Sequence, residues 1–246
     1  MTTALILLMA MVMVSMVHHV QGTSHLSFAN NTEVNITRAG CGDTKLCVQT
    51  PDGCDPAAST QCLFASLNAS TTMAPNGTDL SVELSGNSSG YIALGLTANA
   101  SQGTTLLFIC AQNNGSFFFR TMTRNNSNSM ISPSETRVTE IRGSVNGDMI
   151  QCEFIIPGAN ATDTRSSNDT MFIVILGQGP VNGTAIGSFN ETLRTDLLNV
   201  SDPSSNVAPT PTSNTTSSAS TSAAHLHDVL LLLLPSVLSV SLLKTN

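Results

Sequence analysis

The chain has 246 residues, of which only 10% are charged, with a net charge of −7 and no tryptophan. Its Lys and Arg residues are scattered singly, so no basic patch exists to neutralise phosphates, and a nucleic-acid partner is excluded. Solubility must come instead from Asn, Ser, Thr and attached sugar.

Residues 1–22, MTTALILLMAMVMVSMVHHVQG, place an apolar run of roughly 14 residues ahead of small and polar ones. That is signal-peptide length rather than membrane-spanning length, with cleavage expected after Gly22. Residues 23–40 read as a lead-in. The stretch CGDTKLCVQTPDGCDPAASTQC, residues 41–62, is rich in Pro, Gly and Asp and is expected to need disulfides to hold it against the folded body. All six cysteines, Cys41, Cys47, Cys54, Cys62, Cys110 and Cys152, lie between the two ends of the chain. They form no C-x-x-C pair, which argues against zinc or a redox dithiol and for three disulfides in an oxidising lumen, in one of roughly fifteen pairings.

From residue 79 onward the pattern has period two. In DLSVELS, Leu80, Val82 and Leu84 share one face, and in YIALGL, Ile92, Leu94 and Leu96 oppose Tyr91, Ala93 and Gly95. Further strands are expected over 104–111, 116–123, 136–143, 148–156 and 170–177, separated by GNSSG, NNG and NG turns and followed by GQGP. Short strands at about ten-residue spacing, without a helical period, predict an all-β fold over 41–200: an antiparallel β-sandwich of immunoglobulin-like two-sheet architecture. The isolated acids Asp79 and Glu83 are expected on a solvated strand edge rather than in a carboxylate pair or calcium site. Met73, Met122, Met130, Met149 and Met171 read as core filling.

Residues 201–224 are rich in Ser, Thr and Pro and read as a stalk. From Val229 an apolar tail of about 15 residues is interrupted by Pro235, too short for the roughly 20 residues of a spanning helix. Small residues, a polar spacer and a hydrophobic end are the signal for a glycolipid (GPI) anchor, with Ser218 as attachment residue and residues 225–246 removed; a short membrane anchor is the alternative. Asn-x-Ser/Thr acceptors stand at Asn30, Asn35, Asn68, Asn76, Asn87, Asn99, Asn114, Asn125, Asn160, Asn168, Asn182, Asn190, Asn199 and Asn214, predicting a heavily glycosylated surface.

One stretch invites a catalytic reading. Gly86-Asn87-Ser88-Ser89-Gly90 fits the G-x-S-x-G nucleophile pattern, which joins a strand to a helix and needs a base for its serine. Here it lies between two expected strands, within a sequon. The histidines, His18, His19, His25, His225 and His227, are all at the chain ends. GQGPVNG is no phosphate loop, because Pro180 follows and no helix begins there. No catalytic, cofactor-binding or metal-ligating residue is therefore expected.

The pattern C-G-x-x-K-x-C-V-x-x-P-x-x-C-D-P at 41–56, then QCLFASL, DLSVELSG and SGYIALGL, resembles the extracellular domain of the ferric-chelate reductase 1 proteins. That domain belongs to the DOMON superfamily of β-sandwiches, related to the cytochrome domain of cellobiose dehydrogenase and the N-terminal domain of dopamine β-hydroxylase. The resemblance covers 41–200 and implies a DOMON-like sandwich. Full-length members add a reelin-like domain and a cytochrome b561 unit, which are not expected in this chain.

The resemblance also implies a haem test. Haem-binding members hold the iron of haem b between a Met, in the turn after the G-x-I-A-L-G strand, and a His near the last strands. Here that turn is ANASQGTTLLF, with Gln102 beside Gly103, and the last-strand segment GTAIGSFNETL, residues 183–193, has no imidazole. A Gln amide is a poor iron ligand. The expected function is a lipid-anchored cell-surface glycoprotein of the secretory pathway. Its sandwich would take an extracellular protein or a small apolar ligand, without haem and without catalysis. The alternative is a divergent redox accessory that binds haem or metal through other ligands and passes electrons to a membrane partner.

Overall fold

The computed structural model describes residues 32–58, 61–70, 78–159 and 170–206. Among the described residues thirteen strands occur in chain order: β1 (Leu46–Thr50), β2 (Leu63–Ala69), β3 (Thr78–Asn87), β4 (Tyr91–Thr97), β5 (Thr104–Asn113), β6 (Ser116–Asn125), β7 (Ile131–Pro133), β8 (Thr139–Asn146), β9 (Met149–Ala159), β10 (Met171–Gly179), β11 (Val181–Asn182), β12 (Ala185–Ile186) and β13 (Asn190–Asn199). Among the described residues the only helical element is a 3-10 turn, Pro203–Ser205.

The strands form a five-stranded sheet in the order β1-β2-β3-β9-β8 and a six-stranded sheet in the order β13-β10-β4-β5-β6-β7, with β11 and β12 as a separate small hairpin. Every pairing within the sheets is antiparallel, so the expected antiparallel sandwich is what forms. Period-two patterning explains the layers. Leu80, Val82 and Leu84 of β3 face Ile92, Leu94 and Leu96 of β4 in one buried cluster, joined by Phe108, Phe119, Phe154, Phe172, Val174 and Leu176. Phe154 of β9 reaches across to the other sheet, its ring centroid 4.9 Å from that of Phe119 and 5.7 Å from that of Phe108, a spacing at which aromatic pairs attract beyond their area.

Three disulfides close among the described residues. Cys41–Cys47 and Cys54–Cys62 are local loops, whereas Cys110–Cys152 ties β5 of one sheet to β9 of the other across the core. The short bridges sit against Val34, Ile36 and Phe64, a small satellite cluster on the outside of the five-stranded sheet.

Several local expectations are corrected. The cysteine-rich stretch, expected to be held against the folded body by disulfides, is itself part of that body: it contributes β1 and flows into β2, both members of the five-stranded ladder. β13 was not expected, since NETLRTDLLN pairs with β10 through two register shifts that break its alternation. The strand expected at 136–143 is shifted, running from Thr139 to Asn146. Glu83 is on β3, the middle strand of its sheet, and not on an edge. There its carboxylate accepts from Lys45 Nζ at 2.7 Å and Ser66 Oγ at 2.6 Å. Met130 is 69% exposed and fills no core, whereas Met122 is buried.

Candidate functional site

The central strands of the six-stranded sheet, β4 and β5, are buried on both faces, and the outer face is the more informative. β4 is buried along its whole length, YIALGLT. Its inward residues join the sandwich core, and its outward residues Tyr91 and Ala93 join Leu107, Ile109, Ala111, Phe118 and Met122 in a second cluster. An apolar outer face needs a cover. Val181, Ile186 and Phe189 pack on it, carried by the β11–β12 hairpin and the return to β13.

This strap is fastened at three points. Tyr91 Oη donates to Ser188 O at 2.9 Å and lies 3.3 Å from Gly187 O, and burial pushes its phenol well above the usual range. Phe189 lies against Gly177, where any Cβ would run into its ring. Glu191 Oε2 accepts from Arg124 Nη1 at 3.2 Å and from Arg194 Nη2 at 2.7 Å, and the Arg124 guanidinium stands 5.8 Å from the Phe189 ring centroid.

The turn after β4 borders the same face. Asn99 Oδ1 accepts from Ser101 N and Gln102 N at 2.9 and 3.2 Å, an Asx turn. Asn126 Nδ2, from the end of β6, donates to Asn99 O and Gln102 O at 2.7 and 3.0 Å, and Asn126 Oδ1 accepts from Thr105 Oγ1 at 2.7 Å. Gln102 is exposed, and the network uses its backbone carbonyl. The turn is thus built and held by amide side chains, with neither a thioether nor a carboxylate in it.

Ser88 is where the sequence places it, on the crossing from β3 in one sheet to β4 in the other. Its N–H donates to Asp148 O at 2.7 Å, its hydroxyl accepts from Gly90 N at 3.1 Å, and its carbonyl accepts from Gln112 Nε2 at 2.9 Å. These bonds make the segment a tight crossover. Gly90 is required because a Cβ there would collide with the Gly179 carbonyl and Pro180. The motif joins strand to strand, and the five histidines all lie outside the described residues. Among the described residues no three His, Cys, Asp or Glu side chains gather as metal ligands. Asp79 instead accepts from Gly158 N at 2.8 Å.

Of the sequon asparagines, Asn35, Asn68, Asn87, Asn99, Asn114, Asn125, Asn182 and Asn190 are exposed. Asn199 is half-buried, its Oδ1 accepting from Ser201 N at 3.0 Å and Thr170 Oγ1 at 3.3 Å. Asn30, Asn76, Asn160, Asn168 and Asn214 lie outside the described residues, as do Met73, the signal segment, Ser218 and the apolar tail. Among the described residues no helix is long and apolar enough to cross a membrane.

Side chains fill the core between the sheets, and among the described residues cavities open at its margins. One of about 450 Å³ runs beside β1, and one of about 420 Å³ is bordered by Thr50, Leu63, Asn87 and Gln178. Sequence reasoning missed both, because a groove between two sheet margins leaves no periodic signal. Three buried side-chain atoms among the described residues lack a partner: Gln49 Oε1, Thr78 Oγ1 and Arg120 Nε.

Comparison with known proteins adds kinship to this geometry. The chain is 28% identical over 141 residues to the Danio rerio protein described as "Putative ferric-chelate reductase 1", covering 57% of this chain and 24% of that one. It is 21% identical over 151 residues to ferric-chelate reductase 1 of Homo sapiens, covering 60% of this chain and again 24% of the relative. A Xenopus laevis relative of the same description matches over 74 residues at 32% identity, covering 30% of this chain and 12% of its own length. The chain thus spans about a quarter or less of the curated relatives it matches. No family model and no solved structure matches it.

Proposed function

We propose that this chain is a DOMON-like sandwich displayed on the outer surface of the cell as a glycolipid-anchored glycoprotein, which binds and does not catalyse. The observation that carries the reading is the strapped outer face of the six-stranded sheet. The two positions at which haem-binding DOMON domains supply Met and His correspond here to the 98–103 turn and the 183–193 strap. The turn offers the exposed Gln102, and the strap sets Phe189 against Gly177. Neither supplies a donor suited to haem iron, and the protein's own rings and aliphatic side chains fill the face.

A visible spectrum of the purified ectodomain after haem addition tests this directly. The expected result is free-haem absorption only. A Soret band of bound haem that a Met122→Ala or Met149→Ala change abolishes would overturn it and favour the second reading, a redox accessory, which rests on the similarity to the ferric-chelate reductases. Anchoring is tested separately: phosphatidylinositol-specific phospholipase C should release the protein from intact cells. Retention beside a released control would contradict the anchor.

A further inference from the structure

The cavity of about 420 Å³ is lined by strand ends from both sheets. Thr50 closes β1, Leu63 opens β2 and Asn87 closes β3, while Gln178 and Thr192 come from the end of β10 and the start of β13. Thr192 is the unpaired residue of a bulge, since Leu193 pairs with Leu176 and Glu191 with Gly177, and a bulge re-aims the side chain it carries. Leu63 is buried, and Pro51 adds a second apolar surface to the wall.

The chemistry of this wall selects its occupant. Among the described residues no charged side chain lines the cavity, so an ion would find no counter-charge there. A wholly apolar ligand would cover the amides and hydroxyls of Asn87, Gln178, Thr50 and Thr192 without pairing them, at a cost for each. Among the described residues the side chains of Asn87, Gln178 and Thr192 bond to no other protein group, so they are available to a ligand. A neutral molecule with hydroxyls, an amide and an apolar ring face meets the polar groups together with Leu63 and Pro51. N-Acetylglucosamine has that composition, and it is the sugar that N-glycosylation attaches to asparagine. Asn87, in the wall itself, is the acceptor of the sequon Asn87-Ser88-Ser89.

We propose that the innermost N-acetylglucosamine units of a glycan on Asn87 dock in this cavity and brace the two sheets against each other. The proposal rests on the chain being a glycoprotein. A sugar tethered to the wall has an effective concentration that a free saccharide would have to exceed. From Asn87 on the five-stranded sheet it meets Gln178 and Thr192 of the six-stranded sheet, beside the second register shift of the β10–β13 ladder. The docked core would supply contacts where that ladder is interrupted. Asn190, whose sequon ends at Thr192, is exposed and does not line the cavity, and so serves as a neighbouring control.

Glycopeptide mass spectrometry and timed release by peptide N-glycanase, both on the native full-length protein from secreting cells, test the proposal. Asn87 should carry sugar, and its glycan should be released about tenfold more slowly than those on exposed sequons away from the cavity, because release requires undocking. Gln178→Ala should bring the Asn87 rate close to theirs. Ser89→Ala, which removes the sequon and leaves Asn87, should speed hydrogen exchange of β13 from Glu191 to Leu193 about fivefold with β5 unchanged, and Asn190→Gln should not. Equal release rates in the native protein, a slow rate that persists in Gln178→Ala, or unchanged exchange in Ser89→Ala would overturn it. A larger effect from Asn190→Gln than from Ser89→Ala would overturn it too, and would assign the cavity to the neighbouring glycan. Asn87 found bare while other sequons carry sugar would overturn the docking alone, whereas sugar absent from every sequon would overturn the glycoprotein reading with it.

Discussion

Arg124 and Glu191 meet at 3.2 Å although β5, β4 and β10 lie between the strands that carry them. Four strand spacings amount to roughly 19 Å on a flat sheet, more than an Arg and a Glu can bridge end to end. The six-stranded sheet must therefore curl toward its outer face, and the pair records that curl. Their side chains are 13% and 24% exposed, so the contact is only partly screened by solvent. A double-mutant cycle over Arg124→Ala and Glu191→Ala, read by urea unfolding, should give a coupling of about 1 kcal/mol. Arg194→Ala, whose side chain is 40% exposed, should couple to Glu191 more weakly. Additive single mutants at 124 and 191 would mean that the Arg124–Glu191 pair contributes nothing to holding the strap.

Tyr91 gives the strap a pH dependence with a definite sign. Burial raises its phenol pKa above the unfolded value, so in alkali the unfolded chain loses the proton first. The stabilisation is complete below the unfolded pKa of about 10 and is lost as pH rises beyond it. Urea midpoints should thus fall between pH 9 and pH 11 in the native protein and fall less in Tyr91→Phe. At neutral pH the same change should cost about 1 kcal/mol, because Ser188 O loses its donor. Tyr91 is the chain's one tyrosine and there is no tryptophan, so tyrosinate absorbance titrates this residue alone.

The disulfides should differ in weight. Cys110–Cys152 closes a separation of 42 residues, against 6 for Cys41–Cys47 and 8 for Cys54–Cys62. Chain-entropy estimates give about 4 kcal/mol for the long loop and about 2 kcal/mol for each short one. Replacing both members of the inter-sheet pair by Ala should lower secreted yield and melting temperature more than the same change at either local bridge. Equal effects would show that the local bridges organise β1 and β2 more than their loop length implies.

Two glycines separate contact from conformation. Gly90→Ala places a methyl on the Gly179 carbonyl, so the crossover must shift, at a cost of about 2–3 kcal/mol. Gly103 has φ +72° with open space around it, so Gly103→Ala should cost only about 1 kcal/mol of backbone strain. Thermal melts of the two variants should rank in that order.

The sheets were legible where alternation is clean. DLSVELS and YIALGL announce β3 and β4 because each presents one continuous apolar face. β13 was hidden for a physical reason: its two register shifts let Leu193 and Leu198 both turn toward the core although they stand five positions apart, so no single period fits. β1 was masked by its setting among cysteines, glycines and prolines, where LCVQT reads as loop. Burial of the outer face was half visible, since Tyr91, Ala93 and Gly95 are not polar, but its cover was not. The strap GTAIGSFNETL carries its anchor, Phe189, amid turn residues. The Arg124–Glu191 contact, separated by 67 positions, exists only once the sheet has curled.

The position of β13 also decides how the molecule would carry a load. A pull on the C-terminus enters through the 3-10 turn into β13, the margin of the six-stranded sheet, whose ladder to β10 is already interrupted twice. Such a strand yields by peeling, one pair of hydrogen bonds at a time, rather than by shearing the whole ladder at once. Peeling would lift the strap with it, because Glu191 is on β13 and Tyr91 grips the residues just before it. It would be halted at β9, the next strand back along the chain from β10, where the Cys110–Cys152 bond passes the tension covalently into β5 of the six-stranded sheet. Tension would thus bare the apolar outer face while the two sheets stay joined.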